Sequence, residues 1–171
     1  MVTNLKQPTL SAFKIREIVL FGLFAAMMII SKEILAFLPN IEIVTLLVIV
    51  FTLSYGLRTL IPVYIFVLAE GLLYGFGFWF WSYTYIWTIL VFLVYLLRKN
   101  ENLFVFTALS GIYGLLFGIL GSIPNFVVGG IGGGIAYIIA GIPFDIAHCL
   151  GNVVTTLALF LPLRKLLKKL A

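Results

Sequence analysis

FVVGGIGGGIAYIIAG, residues 126–141, is apolar enough to cross a membrane, and whether it does so decides the fold. If it crosses, the chain has seven spans and its ends lie on opposite sides of the bilayer. If it does not, six spans remain and both ends share one side. The apolar pattern predicts helices over 15–38, 41–55, 59–74, 78–97, 103–120 and 135–161, the first ending at Pro39-Asn40. Lys6, Lys14 and Arg16 precede the first helix, Arg58 separates the second from the third, and Arg98 and Lys99 separate the fourth from the fifth. Arg164, Lys165, Lys168 and Lys169 close the chain. With six spans these residues all fall on one side, which the positive-inside rule makes cytoplasmic. A seventh span would carry the basic RKLLKK tail outside. Residues 126–141 are therefore expected to form an irregular loop before the sixth helix, or a short segment dipping into the membrane. Irregular backbone is tolerated there only against protein or a water-filled cavity.

Composition agrees. Of 171 residues, 63% are apolar and 10% charged, too little polar surface for a soluble domain of this length. The expectation is an all-α integral membrane protein with six transmembrane helices and both termini cytoplasmic. A single domain covers 1–171, with a cytoplasmic segment at 1–14 and a basic tail at 163–171. Six spans of about 20 residues leave no room for a soluble nucleotide-binding domain. The net charge of +5 is spread in small clusters between apolar spans, so it is no nucleic-acid footprint. Cys149 is the only cysteine, which excludes an internal disulfide and a thiolate metal cluster. No cleavage site follows the first apolar run, so that span is expected to be retained. GGIGGG matches neither GxGxxG nor the Walker pattern, and no lysine follows it.

The polar residues outside the basic loops share one depth. At about 1.5 Å per helical residue, Lys32 and Glu33 lie about 25 Å beyond Arg16, and Glu70 about 18 Å beyond Arg58. Counted back from Arg164, Asn152, His148 and Asp145 lie about 18, 24 and 28 Å from the inner face. Glu42 opens the second helix at its outer end. All fall in the outer half of the bilayer. Ionisable groups inside a membrane face a cavity or one another, so the expectation is an outward-facing polar pocket. The plainer alternative is a set of ion pairs holding helices together, or side chains wetted by headgroups.

Spacing sharpens the pocket reading. Asp145, His148 and Asn152, at i, i+3 and i+7, share one stripe of the sixth helix. Glu42 and Thr45 share a face at i, i+3. Trp79, Tyr83 and Trp87 form an i, i+4, i+8 stripe, either an interfacial aromatic belt or a wall for a flat ligand or cation. Asp145-x-x-His148 could hold a metal only with a third ligand from Glu70 or Glu42, and no metal or other cofactor is expected. Asn40 and Asn125, in outer loops, are candidate lid contacts.

Three stretches carry a resemblance: KEILAFLPNIEIVTLL at the first two helices, EGLLYGFGFWF at 70–80 and GIPFDIAHCLGN at 141–152. With the span count and the placement of the pocket, the chain resembles the substrate-binding S components of energy-coupling factor (ECF) transporters over nearly its whole length. The resemblance implies a non-catalytic subunit of a bacterial plasma membrane that captures a small vitamin or precursor. It also implies docking on a membrane scaffold subunit carrying two ATPase subunits. Docking in that family uses an AxxxA-like pattern on the first helix. Here Gly22 and Ala26 supply small-xxx-small spacing with Ala25 beside them, glycine standing where alanine is usual.

The ligand residues expected are Glu42, Thr45, Glu70, Asp145, His148 and Asn152 for hydrogen bonds, Trp79, Tyr83 and Trp87 for stacking, and Asn125 at the lid. Such a site suits a small flat ring such as pyridoxine or a hydroxymethylpyrimidine, and suits a polyanion poorly. Two rival classes remain: a channel or facilitator for a small solute, and an intramembrane enzyme using Asp145 and His148.

Overall fold

The computed structural model describes residues 15–38 and 40–170. The expected N-terminal segment at 1–14 and Pro39 lie outside those residues. Everything regular in the described chain is helical: α1 Ile15–Ile34, α2 Val44–Tyr55, α3 Leu60–Tyr74, α4 Phe78–Leu96, α5 Leu103–Gly121 and α6 Ile123–Leu170, with a 3-10 turn at Gly56–Thr59.

α2 is the centre of the bundle. Its sequence is apolar on every side, and each residue from Val44 to Thr52 is buried, the expected pattern for a helix surrounded by others. It packs against α1, α4, α5 and α6. Phe24 of α1 stacks on Phe51 with ring centroids 4.0 Å apart. The chain leaves α2 at Gly56, whose φ of +61° and ψ of −142° suit a residue without Cβ. Val44 and Tyr74 line the same cavity, so the chain reverses at this turn.

Four segments are long and apolar enough to cross a membrane: Val44–Tyr74, which contains that reversal, Phe78–Leu96, Leu103–Gly121 and Ile123–Leu170. α1 carries Arg16, Glu17, Lys32 and Glu33 near its two ends, and its middle is apolar. Large apolar side chains such as Ile18, Leu72, Phe92, Leu116 and Leu150 are exposed around the bundle, which is compatible with a membrane protein.

Ion pairs sort the two ends of the bundle. At one end Arg58 meets Glu17 at 2.5 Å, and Arg16 donates to the carbonyl of Leu170 at 2.6 Å. There too Arg164 donates to Ser54 and to Glu101, each at 2.8 Å. At the other end Lys32 pairs with Glu70, Tyr74 donates to Glu33 at 2.5 Å, and Glu42 meets His148.

The glycine-rich stretch departs from expectation. Residues 126–141 are not an irregular loop: helix runs from Ile123 to Leu170, broken only at Gly130 (φ +63°, ψ −163°). Each glycine costs a helix about 1 kcal/mol relative to alanine, but unpaired backbone in an apolar medium costs more. Gly134 also makes room for a neighbour, since a Cβ there would overlap the ring of Phe126. The helix likewise passes Pro162, where it was expected to end, because contacts from Arg164 and to the carbonyl of Leu170 tie its last turns to the bundle. At 1.5 Å per residue, 131–170 measures about 60 Å, roughly twice a hydrocarbon core.

Candidate functional site

At the end away from Arg58, Arg164 and Lys168, a cavity of about 360 Å³ opens among the end of α1, the connection to α2, and α3 to α6. Its polar wall is Lys32, Glu33, Asn40, Glu42, Tyr74 and His148. Its apolar wall includes Ile41, Val44, Tyr83, Trp87 and Phe117.

Lys32 sits in the last turn of α1, where a cation suits the helix dipole. Its ammonium pairs with the fully buried carboxylate of Glu70 and lies 4.9 Å from the centroid of the Tyr74 ring. Tyr74 in turn donates to Glu33. Three charged groups and one phenol thus hold the ends of α1 and α3 together on one side of the cavity.

Glu42 acts from the residue before the N-cap of α2. Ile43 has no capping side chain, and the Glu42 carboxylate takes its place by accepting from the backbone N–H of Thr45 at 2.9 and 3.1 Å. The Thr45 hydroxyl donates to the same carboxylate. Glu42 Oε1 also lies 3.1 Å from His148 Nε2. A carboxylate only accepts, so Nε2 carries the proton. Nδ1 of His148 and Nε1 of Trp87 are buried without a hydrogen-bond partner among the described residues.

The aromatic stripe of α4 forms an edge-to-face ladder. Trp79 meets Tyr83 at 5.4 Å and 82°, and Tyr83 meets Trp87 at 5.7 Å and 85°. Tyr83 and Trp87 line the main cavity. Trp79 lines a side space of about 180 Å³ with Lys32, Tyr74 and Tyr83. Asn125 lines a further space of about 150 Å³ with Trp79, Ser82, Tyr83, Phe117 and Tyr137. Tyr83 is common to all three.

The stripe on α6 divides. His148 reaches the cavity, but Asp145 and Asn152 face α5. Asp145 Oδ1 accepts from the backbone N–H of Gly118 at 3.0 Å. Asn152 Nδ2 donates to the carbonyl of Ser110 at 3.0 Å, beside a Ser110–Thr156 hydroxyl contact at 2.9 Å. Neither lines the main cavity; both make helix–helix contacts, and Asp145 borders a separate space of about 160 Å³ with Leu115, Ile119 and Ile142. Glycines at 111, 114, 118 and 121 draw α5 onto this stripe: a Cβ on Gly114 would overlap the backbone of His148 and Cys149, and one on Gly118 the Asp145 carboxylate. Thr45 and Glu70 are fully buried supports for Glu42 and Lys32.

Lys32, Glu33, Tyr74 and Phe117 line the cavity and were not among the expected ligand residues. The first two share the depth of the others, a usable signal; nothing in the sequence marks Phe117. Among the described residues no three His, Cys, Asp or Glu side chains gather as a metal cluster would. On α1, Gly22 is exposed and Ala26 half-buried, whereas Ala25 is buried within the bundle.

No protein-family model, curated protein or solved structure matches the chain.

Proposed function

We propose that the chain is a membrane-embedded capture subunit for a small water-soluble molecule, of the ECF S-component type. The observation that carries this reading is the cavity itself: about 360 Å³, lined at once by charges and aromatic rings, at the end of the bundle away from Arg58, Arg164 and Lys168. That volume falls within the roughly 300–1,000 Å³ of small-molecule sites. In this reading the basic end is cytoplasmic, the chain crosses six times, and the cavity opens to the outside.

Beneath the cavity Val48, Ile49, Leu90 and Phe106 are completely buried, which favours capture over conduction. The ligand class proposed is a flat ring bearing hydrogen-bond donors, such as pyridoxine or a hydroxymethylpyrimidine. Glu33, Glu42 and His148 would meet its polar edge, and Tyr83 and Trp87 its faces. Docking on a scaffold subunit with two ATPases would use the outward side of α1 at Gly22 and Ala26.

Native mass spectrometry of the detergent-purified chain tests the reading, together with tryptophan-fluorescence titration by both candidate rings. A retained small molecule, or saturable quenching lost in Trp87→Phe, supports capture. No retained mass and no response to either ring, with solute flux through the isolated protein in liposomes, would replace it with the facilitator reading.

A further inference from the structure

The basic end of the bundle holds a second cavity of about 360 Å³, between the loop after α4 and the last turns of α6. Phe160 forms its floor, buried and stacked on Phe106 at 5.4 Å. Leu161 is exposed beside it. Arg164, Lys165 and Lys168 complete the α6 wall, and Glu101 stands opposite.

The order of these residues along α6 is informative. Phe160 lies four residues before Arg164, and Leu161 four before Lys165, so each apolar side chain sits one turn above a cation on the same face. Arg164 and Lys168 follow the same interval. In a helix crossing the bilayer, that places apolar surface at the level of acyl chains and charge at the level of headgroups.

Charge decides the ligand. Among the described residues three cations face one carboxylate, that of Glu101, which holds Arg164 at 2.8 Å and Lys168 at 2.5 Å. It fixes two of them in place and leaves an excess of positive charge. Arg164 is largely buried, with 11% of its side chain exposed, and is further fixed by Ser54. Basic pockets between helices on the cytoplasmic side are suited to anionic headgroups.

We propose that this cavity binds the phosphate headgroup of one anionic phospholipid, with an acyl chain against the exposed Leu161 and the phosphate among Arg164, Lys165 and Lys168. The site is independent of the capture cavity and rests only on the membrane orientation proposed above.

The test is native mass spectrometry of the delipidated full chain in detergent, titrated separately with dioleoylphosphatidylglycerol, dioleoylphosphatidylcholine and inorganic phosphate. Phosphatidylglycerol is expected to add as a single tight adduct, and phosphatidylcholine only weakly. Lys165→Gln is expected to weaken the phosphatidylglycerol adduct about fivefold, the effect of one cation near a membrane surface. Lys169→Gln, on the same tail but not on the cavity wall, is expected to leave it unchanged. Equal binding of the two lipids overturns the proposal. Equal losses in the two variants also overturn it, since they mark diffuse attraction by the tail. Inorganic phosphate that displaces the lipid at comparable concentration overturns it in favour of a soluble-anion site.

Discussion

Glu42 and His148 stand 106 positions apart in sequence, yet Glu42 Oε1 lies 3.1 Å from His148 Nε2. The same carboxylate terminates α2 by accepting from Thr45. One acidic side chain therefore fixes where the central helix begins and how the α6 histidine is held at the cavity. Helix start and cavity wall cannot be altered separately at this residue.

That coupling is measurable. Glu42→Gln and His148→Gln, singly and together, are expected to show an interaction energy of about 1.5–3 kcal/mol in a double-mutant cycle, the range for hydrogen bonds to charged groups. Thermal unfolding in detergent supplies the readout. Simply additive losses would show that the two side chains are neighbours without interacting.

Much of the fold was legible because each turn carries its own signal. The helix ends fell within a few residues of Gly56, Gly75 and the RKNEN loop. Residues 126–141 misled because glycine content argues for loop in water, whereas an apolar medium penalises unpaired backbone more. For the site, depth was the informative quantity: Lys32, Glu33, Glu42 and His148 share a level and meet in one cavity. Spacing alone was ambiguous. It showed that Asp145, His148 and Asn152 share a stripe, not that α5, thinned by glycines, would cover two of the three.

The Lys32–Glu70 pair is asymmetric, with the carboxylate fully buried and the lysine partly open to the cavity. Removing the lysine leaves a buried charge behind, so Lys32→Met is expected to cost about 3 kcal/mol. The double change Lys32→Met with Glu70→Leu removes that charge and is expected to recover most of the loss. Melting temperatures of the three proteins check this. A double variant no better than Lys32→Met would mean that packing, not charge, dominates at the site.

Acid should loosen the other end. Lys168 and Arg164 hydrogen-bond to Glu101 and hold its carboxyl below the usual carboxylate range. A depressed folded-state pKa contributes stability above the unfolded value, and the contribution is lost as pH falls through the folded one. Glu101 is about half exposed, so the effect is small and screened by salt. Wild type should therefore melt slightly above Glu101→Gln at neutral pH and low salt. The gap should close as pH falls below the carboxylate range. A gap that persists in acid would assign the effect to something other than charge.

Two glycines separate the fold from its proposed partner. A Cβ on Gly114 would overlap the backbone of α6, which cannot rotate aside, whereas one on Gly22 meets nothing within 4 Å. Gly114→Ala is therefore expected to destabilise the chain by at least about 1–3 kcal/mol, as overpacking does. Gly22→Leu is expected to leave its melting temperature unchanged. If the outward side of α1 docks on a scaffold helix, Gly22→Leu removes the close approach that small residues permit, and co-purification with that scaffold is lost from a fully folded protein. A Gly22→Leu chain that melts normally and still co-purifies would move the docking surface off this face of α1.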